Sequence, residues 1–233
     1  MNIAVIPARG GSKRIKSKNI RAFAGQPLIA YSIQAAKASG IFEDILVSTD
    51  SEEIARVAKA MGATGIIERP AALADDFIGT TPVVQHAIKS HQDIEDSPPD
   101  YVCCIYATAP FITASSIVEG YSKLVAAKTM KYAFSVTTFP FPVQRAIRMS
   151  GNGVEPVDPG SMACRSQDLE ECYHDAGQFY WGTPEAWLGE AGMFAPHSIP
   201  VVLPRHMVQD IDTPEDWERA ELMYRAYVAD SKK

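Results

Sequence analysis

The sequence predicts an α/β fold in one domain over residues 1–233, built on a mostly parallel sheet flanked by helices. Three observations predict it. Short apolar runs bounded by turn residues alternate with segments of helical periodicity, which is the rhythm of βαβ units. The 233 residues, 46% hydrophobic and 21% charged, suit an ordinary globular core. No apolar stretch approaches the roughly 18–20 residues needed to cross a bilayer, so no membrane partner is expected.

In chain order, Ile3 to Pro7 is a continuous apolar run ending at Ala8-Arg9-Gly10-Gly11, as in a buried parallel strand. Pro27 suits the first position of a helix carrying Leu28, Ile29, Ile33 and Ala36 until Gly40 ends it. Asp44 to Thr49 gives a second strand. Asp50 or Ser51 then caps a helix in which Ile54, Val57, Ala58 and Met61 recur at helical spacing before Gly62. A strand at Thr64 to Ile67, a loop through Arg69-Pro70, a helix near Pro82 to Lys89 and a strand at Tyr101 to Tyr106 continue the alternation. Between these last two, Gln92 to Asp100 holds Pro98-Pro99 and four acids and reads as a surface connection. A helix at about Ser115 to Ala127 and a strand at Tyr132 to Thr137 follow.

Then the rhythm changes. Gln144 to Val157 reads as two short strands about Gly151-Asn152-Gly153, where Asn-Gly favours the positive φ of a hairpin. Residues of about 138–175 thus form an excursion from the main sheet, a common place for substrate contacts or a dimer interface. Gly177 to Gly182 and Ile199 to Leu203 are late strands, and Asp216 to Val228 is an amphipathic closing helix.

Lys and Arg total 22 against 28 Asp and Glu, a formal charge of −6, which argues against a nucleic-acid partner. The charge is unevenly spread: residues 1–42 hold seven Lys and Arg and no acid. A basic cluster inside an acidic chain suits a small anionic ligand better than a long polyanion. A reading of residues 9–21 as an RNA-binding loop also lacks interleaved aromatics. The N-terminus places its apolar run before its basic residues, the reverse of a secretory signal, so a cytoplasmic location is expected. Cys103, Cys104, Cys164 and Cys172 carry no Cys-x-x-Cys spacing and read as buried or idle thiols.

Two constellations carry chemistry. Arg9-Gly10-Gly11-Ser12-Lys13-Arg14 through Lys18-Asn19 directly follows the first strand, and ligands of open α/β sheets bind at such strand ends. Glycines there let backbone N–H groups approach phosphate oxygens while Arg and Lys supply charge. Neither G-x-G-x-x-G nor G-x-x-x-x-G-K-[ST] is present, so the cradle is of another kind. The second constellation is Asp210-Ile211-Asp212-Thr213-Pro214-Glu215-Asp216. Thr213, Pro214 and Asp216 are helix-start chemistry. That leaves Asp210 and Asp212, two apart on an extended segment, as hard carboxylates on one face that suit Mg²⁺.

Together these residues resemble the CMP-sialic acid synthetase family, cytidylyltransferases that activate nonulosonic acids. The resemblance rests on Ala8-Arg9-x-x-Ser12-Lys13 with Lys18-Asn19, Ser48-Thr49-Asp50, Arg69-Pro70-x-x-Leu73-Ala74-x-Asp76, Pro110 and Asp210-Ile211-Asp212-Thr213. These markers span nearly the whole chain in family order. Departures occur at Tyr106-Ala107-Thr108-Ala109-Pro110-Phe111-Ile112, which lacks the family's Gln and Arg, and at Asp175-Ala176-Gly177-Gln178-Phe179-Tyr180-Trp181, which resembles the pseudaminic acid branch of the family.

The resemblance implies a Rossmann-like sheet of the nucleotide-diphospho-sugar transferase type. The implied reaction is Mg²⁺-dependent transfer of CMP from CTP to the anomeric hydroxyl of a nonulosonic acid, with loss of pyrophosphate. Sialic, legionaminic and 3-deoxy-octulosonic acids are the alternative acceptors, and a silent nucleotide-binding relative is the alternative of another class. By resemblance Arg9, Ser12, Lys13 and Lys18 hold the triphosphate, with Lys18 nearest the transferred phosphorus, and Asn19 helps place the nucleotide. Arg69 and Thr80 or Thr81 surround cytosine and ribose, and Asp210 and Asp212 hold Mg²⁺. Either carboxylate, or a metal-bound water, takes the hydroxyl proton. Tyr106, Gln178 and Tyr180 are candidate sugar-pocket walls. Arg145 and Arg165, on the excursion, match or adjoin sugar contacts that the family draws from the partner subunit of a homodimer. The product is expected to serve glycosylation of flagellin or surface polysaccharide.

Overall fold

The computed structural model describes residues 1–75, 77–93 and 98–230. Along the chain come β1 (Asn2–Pro7), β2 (Ala22–Phe23), β3 (Gln26–Pro27), α1 (Leu28–Ser39), β4 (Asp44–Thr49), α2 (Glu52–Met61), β5 (Gly65–Glu68), α3 (Thr80–Gln92) and β6 (Tyr101–Ile105). They are followed by α4 (Ala114–Ala126), β7 (Tyr132–Thr138), β8 (Ile147–Ser150), β9 (Gly153–Pro156), β10 (Tyr173–Gly182), α5 (Pro184–Leu188), β11 (Ser198–Val202) and α6 (Pro214–Asp230).

The main sheet has seven strands in the order β11-β7-β10-β6-β1-β4-β5. Its pairs are parallel except those of β10, which runs antiparallel to both β6 and β7. The period of two along β1 sends Ala4 and Ile6 against Ile29 and Ile33 of α1, and Ile3 and Val5 against Val84 and Ile88 of α3. Both faces are therefore covered, as a parallel sheet requires. Cys103 and Cys104 alternate between these two cores, in keeping with inert thiols. No described helix is long and apolar enough to cross a membrane.

Local chemistry explains the element ends. The α1 helix stops at Gly40 (φ 66°) and α2 at Gly62 (φ 106°), both left-handed, where glycine pays no Cβ penalty. The Ser51 side chain accepts from the Ile54 N–H to start α2. Pro27 stands at the N-cap of α1 rather than inside it, because it is engaged in the two-residue ladder of β2 and β3. The hairpin of β8 and β9 forms as expected, but Ser150 pairs with Gly153, so the turn centres on Gly151-Asn152 and the positive φ (58°) falls on Gly151. On this hairpin Ile147, Met149 and Val154 share one face and are 56%, 79% and 59% exposed.

A third core decides how the chain's two ends meet. Ile15 and Phe23, from the segment after β1, pack with Tyr31 of α1, Ile211, and Trp217 and Ala220 of α6. The Phe23 ring meets Trp217 edge-on at 5.4 Å and Tyr31 at 5.7 Å, the offset geometry aromatic quadrupoles favour.

Candidate functional site

The basic segment after β1 turns back on itself at Ser17, a non-glycine residue in the left-handed region (φ 52°, ψ 36°), and so delivers Lys18 inward. Lys18 Nζ donates to the Ile211 carbonyl at 2.8 Å and lies 3.2 Å from Asp212 Oδ1. Arg14 Nη2 reaches the other oxygen of Asp212 at 2.9 Å. Asp212 is thus held between two cations that are nearly two hundred residues away in the chain, and burial of Ile15 and Ile211 in the third core brings them together.

These residues border a cavity of about 300 Å³ at the carboxyl ends of β1, β5 and β6. Arg9, Ser12, Lys13, Lys18 and Asn19 line it from one side, Arg69, Thr80 and Tyr106 from another, and Asp212 closes it. Asn19 is buried and donates to the Arg9 carbonyl at 3.0 Å, bracing the loop. Gly10 does not line the cavity. Its N–H donates to Asp50 Oδ1 at 2.8 Å, and a Cβ there would meet the Ser51 Cβ at 3.1 Å, so this glycine lets the loop lie against the end of β4. Gly11 is exposed and likewise outside the lining. Arg69 is buried, donating to the Ser48 carbonyl at 2.7 Å and to Ser48 Oγ at 3.2 Å. Burial pulls its guanidinium below the ordinary value, with Asp50 acting in the opposite sense. Ser48 and Asp50 therefore hold the cavity wall from behind. Asp76, the last residue of the Arg69 motif, lies outside the described residues.

Tyr106 is the wall between this cavity and two others. Its hydroxyl is hydrogen-bonded to Thr80 Oγ1 at 2.9 Å, and its ring lies 5.2 Å from that of Tyr180. Tyr180 donates to Asp175 Oδ2 at 2.6 Å, and burial pushes both phenols above their ordinary values. Thr81 and Tyr180 line a smaller cavity of about 230 Å³ with Trp187 and Phe194. On the other side of Tyr106 is a cavity of about 620 Å³ that holds Asp210, Thr137, His174, Arg205 and Arg219. It opens where β10 advances from Asp175 to Tyr180 while β7 moves only from Val136 to Phe134, with Gly177 (φ 61°) inside the bulge.

Asp210 and Asp212 thus look into adjoining cavities that share Tyr106 and Thr108. Partial burial and the neighbouring Asp212 raise the Asp210 carboxyl above the usual range, against the pull of Lys18. The helix-start string after them is a capping box. Thr213 Oγ1 accepts from the Asp216 N–H at 3.2 Å, and Asp216 Oδ2 accepts from the N–H groups of Thr213 (2.8 Å) and Asp212 (3.1 Å). The cap of α6 therefore also fixes the backbone that carries Asp212.

Three residues expected to contact the sugar lie off the cavity linings of the single chain. Gln178 is buried beneath the site, its Nε2 donating to the Met207 carbonyl at 2.6 Å, so it braces the segment leading to Asp210 rather than lining a pocket. Arg145 donates to Ser166 Oγ at 3.2 Å and Arg165 pairs with Asp168 at 2.6 Å. Both arginines are on the excursion, and within one chain neither lines the cavities beside Tyr106. Conversely, Arg205 and Arg219 drew no expectation, since single arginines in a loop and on a helix carry no periodic signal.

A family model described as cytidylyltransferase matches residues 3–200. The chain is 47% identical over 225 residues to the pseudaminic acid cytidylyltransferase of Campylobacter jejuni subsp. jejuni serotype O:23/36 (strain 81-176), covering 96% of each chain. It is 34% identical over 228 residues to the CMP-N,N'-diacetyllegionaminic acid synthase of Legionella pneumophila, covering 94% of each. Among solved structures, a CMP:2-keto-3-deoxy-manno-octonic acid synthetase complexed with CTP superposes with a TM-score of 0.68 at 14% identity, over 97% of this chain and 99% of that one.

Proposed function

The chain belongs to the cytidylyltransferase family, and from that premise we propose that it transfers CMP from CTP to the anomeric hydroxyl of a nonulosonic acid, with pseudaminic acid as acceptor. The observation that carries the reading is the junction at Tyr106. There a basic cavity of triphosphate character meets a larger cavity through Thr108, with Asp212 facing one and Asp210 the other.

In this arrangement Arg9, Lys13 and Lys18 neutralise the triphosphate, and Arg69, Thr80 and Thr81 border the nucleoside. The acceptor hydroxyl attacks the α-phosphorus, the bond to the bridging oxygen breaks, and pyrophosphate leaves with the electron pair. Such a reaction needs alignment and charge neutralisation more than covalent catalysis. Asp210, on the acceptor side, stands where the hydroxyl proton departs. Lys18, tied to the Ile211 carbonyl, is aimed rather than free to swing.

The Asp210–Asp212 pair fits Mg²⁺, which takes one or two carboxylates and fills its shell with water and phosphate oxygens. Burial and then the neighbouring Asp212 raise Asp210, and a bound cation would relieve the second of these. Among the described residues no cluster of three or more His, Cys, Asp and Glu could hold a metal, so this pair would need water and substrate oxygens to complete a shell. When bound, the ion would supply charge for the departing pyrophosphate.

A homodimer is part of the proposal, with the exposed apolar face of the β8–β9 hairpin covered by a second copy. A reaction that consumes CTP belongs in the cytoplasm, and its activated sugar suits glycosylation of flagellin or surface polysaccharide. The test is pyrophosphate release with CTP and Mg²⁺ across pseudaminic, legionaminic, sialic and 3-deoxy-octulosonic acids. Strong preference for pseudaminic acid is expected. Release with another acid alone would reassign the acceptor, and no release with any would leave a silent relative.

A further inference from the structure

The cavity that holds Asp210 is twice the size of the one beside the basic loop, at about 620 Å³ against about 300 Å³. Its polar lining divides by charge. Asp175 and Asp210 lie along it together with the hydroxyls of Thr108, Thr137 and Thr138, and its cations are Arg205 and Arg219, with His174 alongside. Arg205 opens the short turn after β11, and Arg219 sits on α6, so the two flank the Asp210–Asp212 segment in sequence. Among the described residues neither makes a salt bridge within 4 Å, although Arg219 acts electrostatically on Asp216 at the start of α6, whereas Arg145 is tied to Ser166 and Arg165 to Asp168.

From this we propose that Arg205 and Arg219 of the same chain receive the carboxylate of the acceptor acid. The charge partner of the carboxylate then comes from the same protomer as Asp210, on the wall of the same cavity. The inference rests on the reading above that the acceptor is a sugar acid. An α-keto acid in its cyclic form carries its carboxylate on the anomeric carbon itself, so a fixed carboxylate also fixes the attacking hydroxyl. Guanidinium groups suit this because their planar fork matches carboxylate geometry. Held on this side of Tyr106, the anomeric hydroxyl stands next to Asp210 and across from the triphosphate. The threonine hydroxyls and the bulge backbone at Ala176–Gly177 are left for the sugar's own polar groups.

The experiment compares pseudaminic acid with its methyl ester as acceptor, for the unaltered enzyme and for Arg205→Gln, Arg219→Gln and the double variant. Charge-assisted hydrogen bonds of this kind predict an acid-over-ester preference in kcat/KM on the order of 10- to 100-fold for the unaltered enzyme. That preference should fall toward parity in the double variant while the KM for CTP moves less than about twofold. Retention of the full preference would overturn the assignment. So would an equal loss of acid and ester turnover, which marks a structural role, or a raised KM for CTP, which places the arginines with the triphosphate. Collapse of the preference in Arg145→Gln or Arg165→Gln instead would move the carboxylate to the excursion. Calorimetric titration of pseudaminic acid separates this inference from its premise. Binding that the double variant weakens tenfold, in an enzyme that releases no pyrophosphate, would sustain the subsite and sink the reaction; absence of binding would sink both.

Discussion

Replacing Asp212 by Asn keeps the side chain's size and removes its charge, which separates its two roles by magnitude. For stability, the residue contributes contacts to Arg14 at 2.9 Å and to Lys18 at 3.2 Å. The side chains of Asp212 and Arg14 are 36% and 65% exposed, so solvent screens at least the Arg14 pair. Exposed ion pairs are worth about 0.2–1 kcal/mol each, and the Asn carbonyl still accepts from Lys18. The expected loss is about 1 kcal/mol, which for a chain of this size lowers Tm by about 2–4 °C. The capping box is untouched, because it uses the Asp212 backbone and not its carboxylate. For turnover, loss of a charged group with the role proposed for Asp212 costs on the order of 10²- to 10³-fold or more. The assay pairs pyrophosphate release at saturating CTP, Mg²⁺ and acceptor with a thermal melt of the same preparation. Turnover at the unaltered rate would remove Asp212 from the reaction. A fall in Tm of 10 °C or more would mark the carboxylate as a structural clamp and void the kinetic reading.

Further outcomes are expected from the same geometry. Lys18→Ala should lower kcat more than it raises the KM for CTP if Lys18 stands at the transfer point as proposed; initial-rate kinetics with the opposite pattern would make it a binding residue only. Asp50→Ala removes the acceptor for the Gly10 N–H and should raise the KM for CTP several-fold while kcat changes little, and an unchanged KM would mean that the loop holds its shape alone. Ile211→Ala, at a fully buried position in the third core, should cost about 2–5 kcal/mol in urea unfolding, and a cost below about 1 kcal/mol would refute the role given to that core. Met149→Glu on the exposed hairpin face should turn a dimer into a monomer in sedimentation; an unaltered protein that sediments as a monomer would exclude that interface.

The parts of this molecule that were legible in the sequence are those written locally. Gly40 and Gly62 end their helices, Ser51 starts one, and Thr213 with Asp216 caps another, each through a contact between near neighbours. The basic loop and the Asp pair were legible because residue type and spacing already state a chemistry. The direction of β10 was not, since a run of buried residues reads the same whichever way a strand runs. Its bulge was equally hidden, and the bulge is what opens the larger cavity. Tyr106 read as a pocket wall, but the partition it makes depends on Thr80 and Tyr180, which only the tertiary fold brings to it. The burial of Gln178 was not legible either, since its Nε2 serves the Met207 carbonyl, a partner 29 residues away in the chain.

The third core has a consequence for the order of events during synthesis. Lys18 leaves the ribosome early, but the carbonyl and carboxylate that aim it belong to Ile211 and Asp212. At about 5–20 residues per second, the basic loop waits roughly 10–40 s for those partners to be made. Through that interval the strands β1, β4 and β6 can pair, yet Ile15 and Phe23 have no Ile211 or Trp217 to pack against. The nascent chain therefore carries Arg14 and Lys18 before the carboxylate that pairs with both has been made, and the geometry of the cavity mouth arrives in one late step, when α6 docks.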